Sequence, residues 1–266
     1  MNSLMNRWPA APRILESAGW YALAFILTQI LHEAAHAAIG VATGRGPTLH
    51  TSYVEYAQEA SVAAQVACAA AGPLLSLLQG ILLTLVVRRG PSSPRLRLAL
   101  TWLAFHGLVN FVGYLFTTSF APGGDLGRIA GLLELPLWAR LGLTGLGYLG
   151  LRYLARPLAP AFVALAPGPL DEVGAKAVAK QEGVLAGAIA TPALMLAALP
   201  VPHWLSLLYV ACAFLPLFDL PGAAAKAHHE AGRTPLGLAR PAVSVAAWVV
   251  TTAALRLIFD RGWPLG

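Results

Sequence analysis

Residues Leu27–Gly40, LTQILHEAAHAAIG, place two histidines and a glutamate inside an otherwise apolar run. Ionisable groups within a bilayer cost at least about 2.5–3.5 kcal/mol each, so three polar groups in five residues need compensation. On a helix, residues four apart share one face. His32 and His36 can therefore offer two imidazoles to a single metal ion, while Glu33, one step round, can reach a water bound there. That is the mechanics of HExxH: two histidine ligands, a glutamate general base, a third protein ligand and a position left open for water. The ion expected is one Zn²⁺ per chain.

The surrounding composition explains why this run must be read against hydrocarbon. The chain has 266 residues, 57% hydrophobic and 11% charged, with a mean hydropathy of +0.65. Soluble domains carry roughly 25% charged residues. Hydrophobic spans are expected near 20–43, 61–87, 99–120, 137–155, 184–199, 203–219 and 240–259, the 184–199 span being short enough to be re-entrant or to pair with its successor. The fold class is therefore an all-α integral membrane protein of about six to seven transmembrane helices. It forms one polytopic domain over residues 1–266, in a plasma or inner membrane. GRGPTLHTSYVEYAQEA, residues 44–60, is rich in Thr, Tyr and Val and predicts a short β-hairpin after the first span.

The opening MNSLMNRWPAAPRILES is not read as a cleavable signal, because the hydrophobic run after it is too long. The net charge of +6 sits mainly in the 88–98, 152–183 and 220–240 segments, which the positive-inside rule places in the cytoplasm, while the 44–60 segment has only Arg45 against Glu55 and Glu59. No basic run is interleaved with aromatics, so a nucleic-acid partner is excluded. Cys68 and Cys212 stand alone in apolar stretches and indicate neither a disulfide nor a thiolate metal site.

Three segments together resemble the site-2 protease family of intramembrane zinc metallopeptidases. They are HEAAH (32–36), AAAGPLLSLL (69–78), which is similar to the family's Gly-Pro motif, and NFVGYLFTTSFAPGGDLGRI (110–129), which is similar to its Asn…Asp-Gly region. The resemblance covers about residues 20–135, taken as the catalytic core, and leaves 137–259 as accessory helices. It implies Asp125 as third zinc ligand, a transmembrane protein substrate cut within the lipid bilayer, and a centre towards the cytosol, opposite to the side the charge count favours. The chain departs from the pattern in three places. Ala35 stands where the family often has Gly, Leu126 separates Asp125 from Gly127, and Asn110 lies further upstream of the aspartate.

The residues support Asp125 on their own account. PGG breaks the third span, which allows irregular backbone to line a cavity, and the helical LGRIAGLLE after it makes Asp125 a natural N-cap as well. Asp219, in FLPLFDLPG, is the alternative ligand, and Glu134 a remoter one. His106 and Asn110, four apart, are placed to line the cavity, where Asn110 can donate a hydrogen bond to the substrate. Thr28, Gln29, Gln65 and Thr117–Ser119 are candidates for a water route. His50 and His203 lie near span ends, and His228–His229 in a solvated loop.

The expected chemistry is hydrolysis of peptide bonds in membrane-spanning substrates by an HExxH zinc metalloendopeptidase. The competing class is a transporter or channel using His, Glu and Asp as an intramembrane ion site. Neither substrate identity nor oligomeric state is legible.

Overall fold

Ala10–Ala42 form a single helix of 33 residues, α1. At 1.5 Å per residue it is about 50 Å long, so its histidines sit well above its start. It stops where Gly44 turns left-handed at φ 67°. The computed structural model describes residues 10–90, 93–199 and 204–265, so His203 and the first nine residues lie outside it.

Two further long helices complete the part that carries the motif. The Ser61 hydroxyl caps α2 (Val62–Arg88), accepting from the Ala64 amide at 3.3 Å, and Ser93 caps α3 (Pro94–Thr117) in the same way. These two helices press together through small residues. A Cβ on Gly107 would lie 2.7 Å from both the Gly80 nitrogen and the Ser76 carbonyl.

Beyond α3 come α4 (Asp125–Leu132), α5 (Leu137–Tyr153) and α6 (Ala159–Ala164). Helix α7 (Glu172–Ala179) runs through a π turn at Lys180–Leu185 into α8 (Ala186–Ala197), so the short 184–199 span is the second half of a longer helical run. Helix α9 (Trp204–Cys212) is joined by a 3₁₀ segment to α10 (Leu220–Lys226), and α11 is Pro241–Phe259. The passes alternate. Gly147 and Gly150 of α5 face Phe116 and Val112, while Gly187 and Gly183 face Leu217 and Leu220, so each pair of neighbours is antiparallel.

Among the described residues, five helical runs are long and apolar enough to cross a bilayer: Ala11–Ala42, Val62–Arg88, Pro94–Thr117, Leu207–Lys226 and Pro241–Phe259. The expected spans at 137–155 and 184–199 correspond to helices that miss those limits, because α5 has 17 residues and α8 has 12. The surface suits hydrocarbon. Leu74, Leu78 and Leu82 of α2 and Leu257 of α11 are exposed, and only 6% of the apolar window of α11 is buried.

The interior inverts this pattern. Tyr21, Trp102, Phe105 and Phe162 form an aromatic core, with the Trp102 indole donating to Ser17 at 3.0 Å. The π turn aims Glu182 at Arg13, 2.6 Å away, and Glu16 takes Arg95 at 2.8 Å, both carboxylates being 1% exposed. The first pair fastens the start of α1 to the second half of the chain, and the second fastens it to α3.

At the other end, β1 (Pro47–Leu49) and β2 (Val54–Tyr56) form the expected hairpin. The chain adds a strand that was not expected: β3 (Trp263–Pro264) pairs antiparallel with β1, giving the order β2-β1-β3. The ends of α1 and α11 therefore lie at the same end of the bundle.

Candidate metal centre

His32 and His36 project from one face of α1, and Asp125 reaches them from the first turn of α4. The N-cap of α4 is Gly124, with no side-chain cap, so the Asp125 carboxylate is not spent on its own helix. It points at the imidazoles instead. His32 Nε2 lies 2.9 Å and His36 Nε2 3.2 Å from Asp125 Oδ2, and the two Nε2 atoms are 2.9 Å apart.

The tautomer of His36 decides what this triangle can do. Its Nδ1 lies 2.6 Å from the Cys68 carbonyl, which can only accept, so Nδ1 carries a hydrogen and, in the neutral ring, Nε2 has the lone pair. His32 Nδ1 meets the Ser76 hydroxyl at 3.3 Å. The inward atoms are thus acceptors in their ligating forms, packed against one another. A divalent cation satisfies all three together, whereas a shared proton satisfies one contact at a time. Ligands about 2.0–2.1 Å from a tetrahedral zinc lie roughly 3.3 Å apart, a few tenths of an ångström more than the spacings here. The donor set and its outer hydrogen bonds fit zinc.

Helix α2 supplies the wall behind the ligands. A Cβ on Gly72 would sit 2.5 Å from His36 Nε2 and 2.6 Å from His32 Nε2. Only glycine lets both rings lie against this backbone. Pro73 beside it lacks an N–H and so cannot close the helical bond back to Ala69, which lines the cavity. The Tyr114 ring stacks on His32 at 5.2 Å, and the Tyr209 ring from α9 packs against Tyr114 at 4.4 Å.

Glu33 is 4% exposed, and its Oε1 accepts from Gln29 at 2.6 Å. It shares with the three ligands a cavity of about 740 Å³ between α1, α2, α4, the hairpin and the ends of α8, α9 and α11. At one rim, Thr51 donates to Asp260 at 2.6 Å, and Arg256 pairs with Asp260 at 2.8 Å while donating to the Ala197 and Leu199 carbonyls.

The other residues read from the sequence are placed as follows. His106 is buried among Tyr21, Phe25 and Phe105, and with Asn110 and Thr28 it lines a separate cavity of about 20 Å³, behind Gln29. That is room for a single water molecule. His106 Nε2 and Asn110 Oδ1 have no hydrogen-bond partner among the described residues. Asp219 is not brought to the centre; it pairs with Arg152 through two hydrogen bonds of 2.7 and 3.1 Å. Glu134 sits exposed in the turn after α4. Gln29 and Gln65 do line the main cavity, whereas Ser119 is held by Thr144. His228 and His229 lie in a one-turn 3₁₀ segment.

Four residues at the centre were not read from the sequence: Cys68, Ser76, Tyr114 and Tyr209. Tyr114 continues the helical face of His106 and Asn110, and that spacing was the available signal. The Cys68 contribution is a backbone carbonyl, which has no side-chain signature.

No protein-family model matches this chain, and no curated protein or solved structure matches it significantly. The functional reading rests on the centre itself.

Proposed function

We propose that this chain is an intramembrane zinc metallopeptidase of the site-2 protease type, cutting membrane-spanning protein substrates from within a multi-pass bundle in a plasma or inner membrane. The observation that carries the proposal is the convergence of His32, His36 and Asp125 beside Glu33 on the wall of one large cavity, inside a bundle whose outer surface is apolar. All three ligands and the general base come from the part of the chain that resembles the family.

Zinc bound by His32, His36 and Asp125 supplies Lewis-acid polarisation of a carbonyl and a more acidic water. The chain's own groups do the rest. Gln29 holds one oxygen of Glu33, which orients the carboxylate and leaves Oε2 to take a proton from the attacking water and pass it to the leaving amine. The Cys68 carbonyl holds His36 in the tautomer that presents Nε2. Tyr114 and Tyr209 cover His32 and exclude solvent from that side.

A helical substrate hides its carbonyls in i→i−4 bonds and must unwind before attack. In the β2-β1-β3 order β2 has a free edge, and Val54 and Tyr56 line the cavity. An extended segment added to β2 is held by main-chain hydrogen bonds beside the centre. Replacing Val54 with proline is expected to block cleavage and leave zinc bound.

The test of the reading is zinc per chain in detergent-purified protein, together with cleavage of a reconstituted transmembrane substrate. Near one zinc per chain, lost in His36→Ala, with cleavage abolished in Glu33→Gln at unchanged zinc, supports it. No zinc after metal-replete growth overturns it.

A further inference from the structure

Arg45 follows α1 by three residues and is 5% exposed. Among the described residues it makes no hydrogen bond and no ion pair through its side chain, and its Nε is buried without a partner. The guanidinium stacks instead on an aromatic ring: its carbon lies 3.8 Å from the centroid of Tyr56. The Tyr56 hydroxyl in turn donates to the His36 carbonyl at 3.3 Å. The guanidinium is therefore one ring away from the helix that carries the ligands, and it lines the same cavity.

A guanidinium cannot shed its charge, so burial without a counter-charge is unfavourable. The carboxylates around the cavity do not supply one. Asp125 is held by His32 and His36, Glu33 by Gln29, and Asp260 by Thr51 and Arg256. Only the backbone amide of Arg45 caps α1, donating to the Gly40 carbonyl at 2.9 Å; among the described residues the guanidinium donates to none of the carbonyls that end the helix. Stacking on Tyr56 occupies a face of the guanidinium and leaves its edge, the part that matches a carboxylate with two parallel hydrogen bonds, free for a ligand. A single guanidinium suits a single negative charge. A phosphate is ordinarily held by several donors.

We infer that Arg45 binds a carboxylate of the peptide held in the cavity, supplied either by an acidic side chain near the cut bond or by a free C-terminus. This rests on the peptidase reading and goes further, since it makes the enzyme selective for acidic sequence. The position, immediately beyond the end of α1, sets the acidic group at the sheet end of the bundle.

The experiment uses zinc-loaded Glu33→Gln protein in detergent, which does not turn over. Three fluorescein-labelled apolar 20-residue peptides are titrated by anisotropy: one with central Glu and an amidated end, one with central Gln and a free C-terminus, and the neutral partner of both, with central Gln and an amidated end. With Arg45 present, one carboxylate peptide is expected to bind about tenfold more tightly than its neutral partner, as one charge-assisted pair supplies. Which pair shows the difference identifies the source. The ratio falls to about one in Arg45→Gln and is partly retained in Arg45→Lys, which also guards against misfolding. Equal binding of all three peptides, or a ratio that survives Arg45→Gln, overturns the role of Arg45 alone. Binding of none of them to zinc-loaded protein overturns the peptidase reading as well.

Discussion

Replacing Gly72 with alanine adds one methyl group, and the structure says where it goes. The new Cβ would lie 2.5 Å from His36 Nε2, 2.6 Å from His32 Nε2 and 2.7 Å from His32 Cε1, where ordinary contact begins at 3.4 Å. Each ring must retreat by about 1 Å, several times the roughly 0.2 Å tolerance of a zinc–nitrogen bond. Neither ring can give way cheaply, since His36 is held by Cys68 and His32 is backed by Tyr114. Zinc affinity is expected to fall by at least about 100-fold, beyond the usual effect of losing one outer hydrogen bond. Overpacking alone would also cost about 1–3 kcal/mol of stability. The control is Gly80→Ala, whose Cβ would meet the Leu108 nitrogen at 2.6 Å, an equally tight place between α2 and α3. Competition with a chelator reads zinc affinity, and thermal unfolding in detergent reads the fold. Gly72→Ala should lose zinc while Gly80→Ala keeps it at a comparable loss of stability. If Gly72→Ala binds zinc within threefold of the unchanged protein, the reasoning from close approach is wrong.

Asp125→Ala is expected to weaken zinc binding at least tenfold, whereas Asp219→Ala, which breaks a partly exposed pair with Arg152, should leave zinc unchanged and cost under about 1 kcal/mol. Glu33→Gln should lower the cleavage rate by about 10²–10⁴-fold with full zinc occupancy, measured by metal analysis beside a single-turnover assay. Trp102→Ala empties a fully buried site and removes the indole's hydrogen bond to Ser17, so about 3–5 kcal/mol of stability should go, read as a lower unfolding temperature. Burial opposes ionisation of Asp260, but the hydrogen bonds from Thr51 and Arg256 outweigh it and hold this carboxyl below the ordinary carboxylate range. With a depressed folded-state pKa, the link between hairpin and α11 is present above about pH 4 and lost as pH falls through the lowered value. Hydrogen exchange at residues 50–53 should accelerate over that acid range, and no acceleration would argue against the link.

The legible part of the centre was the part written locally. His32, Glu33 and His36 fall within one helical turn, so their shared face follows from spacing alone. Asp125 stood out because Pro122, Gly123 and Gly124 interrupt an apolar run just before it. Asp219 has the same local dress, and only the tertiary pairing with Arg152 separates the two. His106 and Asn110 were correctly placed on one face, but that face opens on a smaller cavity behind Gln29. Span counting blurred where charge lies inside helices: Lys176, Lys180 and Glu182 interrupt the run from α7 to α8, and Glu182 is used inward on Arg13. Strand β3 had no legible signal, being two residues long with a proline, and its existence depends entirely on β1 lying alongside.

That late strand orders events in time. The amide of Leu265 bonds the carbonyl of Pro47, and Trp263 stands opposite Leu49 across more than two hundred intervening residues. A ribosome delivers the two histidines first, Asp125 about ninety residues later, and the strand that finishes the sheet only after α11 has been made. A growing chain can therefore gather the residues that would hold a metal before it has a finished platform beside them, and its chemistry stays unfurnished until residues 263–264 emerge.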